Sequence, residues 1–227
     1  MTVMAVIGLS KRTLANRWWV VGSGWWGAHD TVPSPSSADH SPPHNPPPNS
    51  HSPFHMHPSI TPLAAIFRLN TELVLNCIED LDEERAQERG DPPVNSITFL
   101  VAHLTETRHL MAHLMGQPLP SPFSQAFGKA RTLDEAGPLP SLEDVRAHWE
   151  RISAHIAVHI ERLDTAQLAQ SSSQRLPGSD GTLLGALAFL AQHESYHLGQ
   201  IGILRRQLGC SPMSYRLRPR EPSRVGA

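Results

Sequence analysis

The residues best suited to chemistry stand within one helical turn: His193-Glu194-Ser195-Tyr196-His197, in the stretch "AQHESYHLGQ". Two imidazoles four residues apart share a helix face, a spacing at which both can ligate one metal ion. The same five letters satisfy the H-E-x-x-H pattern of zinc proteases, where the glutamate works as general base. A zincin also needs a downstream third ligand. No histidine follows His197, and the one later carboxylate is Glu221, in a tail of Arg, Pro and Ser. Nor does any upstream strand pattern offer an edge on which a peptide could be laid. The pair therefore reads as two ligands of a different kind of metal site, whose third donor must come from elsewhere in the chain.

The elements that would position such a site lie after residue 58. There the sequence shows four helical patterns separated by breakers. The first runs from about Pro62 to Gln87, with Ile66, Leu69, Leu73, Ile78 and Leu81 at helical spacing, and "GDPPVN" ends it. The second starts at Ser96 as N-cap and ends at Gly116. The third opens on "SLED", where Ser141 and Asp144 resemble a capping box, and reaches about Leu163. The fourth spans Thr182 to Leu208 and closes at Gly209. With no period-2 run anywhere, the expectation is an all-α fold, a four-helix bundle.

Projection at roughly 100° per residue sorts the histidines. On the last helix His193 and His197 share an arc with Leu190, Ile201 and Leu204, so both point into the bundle. On the second helix His103 falls inside the stripe of Leu100, Leu104, Thr107, Met111 and Leu114. His109 and His113 fall outside that stripe and read as a solvated face. His148, His155 and His159 on the third helix sit at the boundary of its apolar stripe and read as half-exposed polar positions. A lone histidine on an apolar face is ordinarily a hydrogen-bonded core residue. The pair on the last helix makes His103 a candidate third ligand, completing a facial set with positions left open. Glu194 projects about 60° from His197, near the edge of the stripe, where it could act as a base, orient a histidine, or face another helix. Tyr196 and Gln200 flank the same face. Arg205 and Arg206 suit a helix C-terminus.

The rest of the chain bounds these readings. Of 14 histidines among 227 residues, six fall between Ala28 and Pro58, in a stretch dominated by Pro, Ser and Asn that reads as disordered. Residues 1–57 are thus expected to be a low-complexity extension, residues 58–210 the bundle, and residues 211–227 a flexible tail. Met56 stands where globular composition begins and is a candidate translation start. A basic stretch followed by an apolar one near residues 11–26 is broken by Gly-Ser-Gly, which argues against a signal peptide. A net charge of −2 offers no electrostatic case for nucleic acid. No apolar run is long enough to span a bilayer. Two cysteines, Cys77 and Cys210, make no disulfide framework and fit a reducing compartment, the cytoplasm. Cys77 reads as a core position.

"LAFLAQHESYHLGQIGILRRQLG" resembles the last helix of the DinB/YfiT-like superfamily, with H-x-x-x-H followed by G-Q-I and a basic, leucine-rich end. "NSITFLVAHLTETRHLMAHLMG" is similar to its second helix, and "LDTAQL" to the turn after its third. The likeness covers about Ser59 to Gly209. It implies a four-helix bundle that binds a divalent metal (zinc, nickel or iron) through His103, His193 and His197. It further implies a metal-dependent transferase using a low-molecular-weight thiol, with a small electrophile as substrate, in a homodimer. Two alternatives stay open: a metal-dependent hydrolase, and a metal-binding stress-response protein without turnover.

Overall fold

In the computed structural model the described residues are 56–127, 130 and 132–217. The expectations for residues 1–55, including disorder, lie outside them. Helix α1 (Thr61–Ile78) starts where Pro62 supplies a fixed φ at its first turn. The sequence pattern carries this helix on to Gln87, but the structure breaks it after Ile78. Asp82 is extended (φ −84°, ψ 173°) and its side chain accepts the Arg85 N–H, opening a separate short helix, α2 (Glu83–Gln87). The apolar spacing that runs through Leu81 cannot report that capping choice.

Helix α3 (Ile97–Leu114) is capped by Ser96, which accepts from the Phe99 N–H. It ends at Gly116, whose φ of +74° lets the Gln117 N–H reach back to the Ala112 carbonyl at 2.8 Å. A short helix, α4 (Ser124–Phe127), follows. Helix α5 (Leu142–Ile160) is capped by Ser141. A capping box between Asp164 and Gln167 then starts α6 (Thr165–Ala169), so α5 stops short of Leu163. Helix α7 (Leu183–Gln207) is capped by Thr182 and closed by Gly209 at φ +72°.

The four long helices form the bundle that the sequence predicts. Helices α1 and α3 each pack against both α5 and α7, so α1 and α3 take diagonal corners. Among the described residues the only β pairing is a single bridge between Ser171 and Thr182. No helix among them is long and apolar enough to cross a membrane.

The core is divided. One apolar cluster contains Leu73, Val74, Leu104, Trp149, Leu198 and Ile201. The other contains Phe67, Met111, Ile152, Ile156, Leu187 and Leu190. Between them, at the middle of each long helix, lie buried polar residues: Asn70 on α1, Arg108 on α3, Ser153 on α5 and Glu194 on α7. On α1, α3 and α7 that residue has one cluster on its N-terminal side and the other on its C-terminal side; on α5 the change falls between Trp149 and Ile152, just before Ser153.

Arg205 stands in the last turn of α7, where its reading as a helix C-terminal residue puts it, and also pairs across the bundle. It is buried, donates to both carboxylate oxygens of Asp80 (2.8 and 2.9 Å), and also reaches the carbonyls of Cys77 and Ser211. Its neighbour Arg206 is exposed. Residues 211–217 lie against α1, where Asn76 donates to the carbonyls of Ser214 and Arg216, both at 2.8 Å.

Candidate metal centre

Positions 103, 193 and 197 meet because α3 and α7 pack along their apolar faces and each face carries imidazole at one level. One nitrogen from each ring lies within 4.8 Å of the others. The Nε2 atoms of His103 and His193 are 3.1 Å apart. Two imidazole nitrogens each about 2.0–2.1 Å from one ion lie roughly 3 to 3.4 Å apart, so this pair has the separation of two ligands. Among the described residues no other His, Cys, Asp or Glu joins the group.

The rings are held from behind. Phe99, one turn before His103, stacks on it with an interplanar angle of 2°, and Phe189 stacks in the same way on His193 at 26°. The Nδ1 of His197 meets Gln200 Oε1 at 2.7 Å. A carboxamide oxygen only accepts, so Nδ1 carries the proton and Nε2 keeps its lone pair. Tyr196, half exposed, stands edge-on to His197.

Burial sets the charge state. Desolvation is the main cause holding all three histidines below the ordinary 6.5, with further lowering at His103 and His193 by neighbouring imidazoles. His193 is pushed to about 3 and His197 to about 4. Neutral imidazoles are the form that binds metal.

Glu194 does not join them. Its Oε1 accepts from Arg108 Nε at 2.7 Å, and its Oε2 from Arg108 Nη2 at 3.0 Å and Asn70 Nδ2 at 3.2 Å. Of the three roles open to it in sequence, the structure gives it the contact with another helix. The general-base role meets a carboxylate whose oxygens are both committed to a guanidinium.

Sequence reasoning passed over Arg108. The available signal was complementary charge: an acidic residue at the edge of the α7 stripe needs a partner, and Arg108 flanks the stripe of α3. The other histidines are mostly where their projections put them. His113 is exposed, and His148, His155 and His159 are half-buried. His109 differs. It is half-buried, because the chain after α3 returns over it and its Nδ1–H donates to the Leu119 carbonyl.

A family model for the DinB superfamily matches residues 30–201, a span that includes all three histidines. No curated protein matches the chain. Among solved structures, one described as "YfiT from Bacillus subtilis is a probable metal-dependent hydrolase with an unusual four-helix bundle topology" is similar, at 14% identity and a TM-score of 0.49. The match covers 74% of this chain and 95% of that one.

Proposed function

Since the chain belongs to the DinB superfamily, we propose that it binds a divalent metal through His103, His193 and His197 and acts as an S-transferase using a low-molecular-weight thiol. The observation that carries this reading is the meeting of three neutral imidazoles with no fourth His, Cys, Asp or Glu among the described residues. Three protein ligands leave room for an exogenous group. When bound, an ion there would lower the pKa of a water or thiol brought to it.

The chain's own residues supply orientation. Gln200 fixes the tautomer of His197, and Phe99 and Phe189 brace the other two rings. Neither of the protein's own thiols belongs to the histidine group, and Cys210 lies beyond the end of α7. Cys77 is buried and pushed up to about 11, so it stays protonated. A small cofactor thiol such as glutathione, mycothiol or bacillithiol is therefore the second reactant, with a small electrophile as its target. The same reading carries zinc, nickel or iron as the metal, a homodimer and a cytoplasmic setting.

Metal analysis of the purified protein should find about one first-row ion per chain at a three-histidine site. His193→Ala should lose it. Turnover of an electrophile that requires both thiol and metal supports the transferase. Metal-dependent turnover without thiol makes the protein a hydrolase, and bound metal without either makes it a binding protein. A protein that holds no stoichiometric metal, with His193→Ala unchanged in metal content, sinks all three.

A further inference from the structure

We propose that Arg108 and Glu194 are the positioning pair of the histidine site, setting the rotation of α7 against α3 so that His193 and His197 converge on His103. The proposal rests on the reading of these histidines as metal ligands and assigns a task to the glutamate inside H-E-x-x-H.

Both side chains are 1% exposed. Burying a guanidinium and a carboxylate costs solvation that their attraction only about offsets, and apolar residues of similar volume are often as stabilising. Stability alone therefore does not account for the pair. What the ion pair adds is direction. The planar fork of arginine meets the carboxylate through two hydrogen bonds at once, which fixes orientation as well as distance.

The fork is itself over-determined. Besides Glu194, its N–H groups reach the Phe67 carbonyl (2.9 Å) and Thr71 hydroxyl (2.7 Å) on α1 and the Ser153 hydroxyl on α5. Its guanidinium carbon lies 3.8 Å from the centre of the Trp149 ring, also on α5. Asn70 on α1 donates to the same carboxylate. Arg108 thus contacts the other three long helices, and its one salt bridge among the described residues is to the residue next to His193.

Magnitudes show why a metal site needs this. A rotation of about 10° moves an atom at a helix's outer radius of roughly 5–6 Å by about 1 Å. Metal–ligand distances tolerate about 0.2 Å, or a rotation of roughly 2°. Leucine side chains interdigitating on either side of the layer restrain a helix less tightly, because they adjust by rotamer. A bidentate pair held by five further contacts does not adjust in that way.

The test uses the full chain and two variants. Arg108→Met/Glu194→Leu removes both charges and leaves neither unpaired, so the bundle should still fold. Arg108→Lys keeps the charge but loses the fork. Three measurements are made: thermal unfolding in chelator, titration with cobalt(II) followed by its visible bands, and imidazole ¹H–¹⁵N spectra of the metal-free protein. The expected result is a double variant that melts no lower than wild type. Its cobalt affinity should fall about 10- to 100-fold, as for other groups that orient ligands. Its cobalt bands should shift and the signals of the three histidines should change, with Arg108→Lys changed in the same direction. Folded variants with wild-type affinity, bands and imidazole spectra would overturn the proposal. Should wild type bind no cobalt, the metal reading fails separately, and the imidazole spectra alone decide whether the pair positions these rings.

Discussion

At His197 a single neighbour decides which nitrogen is available. Gln200 accepts from Nδ1 and leaves Nε2 with its lone pair free, while burial keeps the ring uncharged. The combination has a consequence for acid stability. His193 and His197 protonate at about 3 and about 4 in the folded chain, and His103 is lowered too, whereas an unfolded histidine protonates near 6.5. Below 6.5 the unfolded state therefore binds more protons than the folded one. The stabilisation these groups give is complete above that pH and is lost as pH falls toward the folded values. In metal-free protein the imidazole signals of His193 and His197 should stay those of neutral rings down to pH 5. Titration of either ring near 6.5 would show that burial is weaker than the geometry implies. In urea unfolding, His193→Asn/His197→Asn should flatten the loss of stability between pH 6.5 and 5 relative to wild type.

At the scale of elements, α3 does two jobs. One side of it delivers His103 and Arg108; the other anchors the chain that follows it. The Ser121 hydroxyl donates to Glu106 and accepts from the Phe123 N–H, His109 holds the Leu119 carbonyl, and on α5 His155 holds that of Gln117. Burial pushes Glu106 up to about 7 from 4.5, outweighing the nearby Phe123 N–H, which lowers it. A carboxyl with a raised folded pKa keeps its proton when the unfolded chain has lost it. The stability tied to Glu106 should therefore fall as pH rises from about 4.5 to about 7, the opposite sense to the histidines. Glu106→Gln removes that term, so its stability relative to wild type should increase between pH 5 and 8 in paired urea titrations. A pH-independent difference would show that Glu106 ionises normally. The same elements show what could be read in advance. Ser96, Gly116, Ser141, Thr182 and Gly209 mark helix ends because caps are local chemistry, and His103, His193 and His197 are legible because apolar periodicity fixes a face. The break after Ile78, the burial of Arg205 and the pairing of Arg108 with Glu194 are not local. Glu194 lies 86 residues from Arg108, and Asp80 lies 125 from Arg205, so each depends on which helices the bundle brings together.

Across the whole molecule, two apolar clusters flank a polar layer, and the histidine site lies beside that layer at the seam between α3 and α7. An ion held by His103 on one helix and His193 and His197 on the other would cross-link the bundle where its apolar packing is interrupted. Such an ion binds the folded chain and finds no assembled site in the unfolded one, so it stabilises by mass action: about 2.7 kcal/mol at a free concentration 100 times Kd. For a domain of this size that raises Tm by roughly 5 to 11 °C. Any metal taken up by the six histidines between residues 28 and 58 would add to the stoichiometry of binding. They affect Tm only to the extent that they bind folded and unfolded chains differently. Calorimetry with graded zinc should thus show a rising Tm in wild type and no rise in His103→Ala, even if both proteins take up some metal. An equal rise in the two would place the stabilising ion outside the triad; no rise in either would mean that the three imidazoles do not act as a metal cross-link.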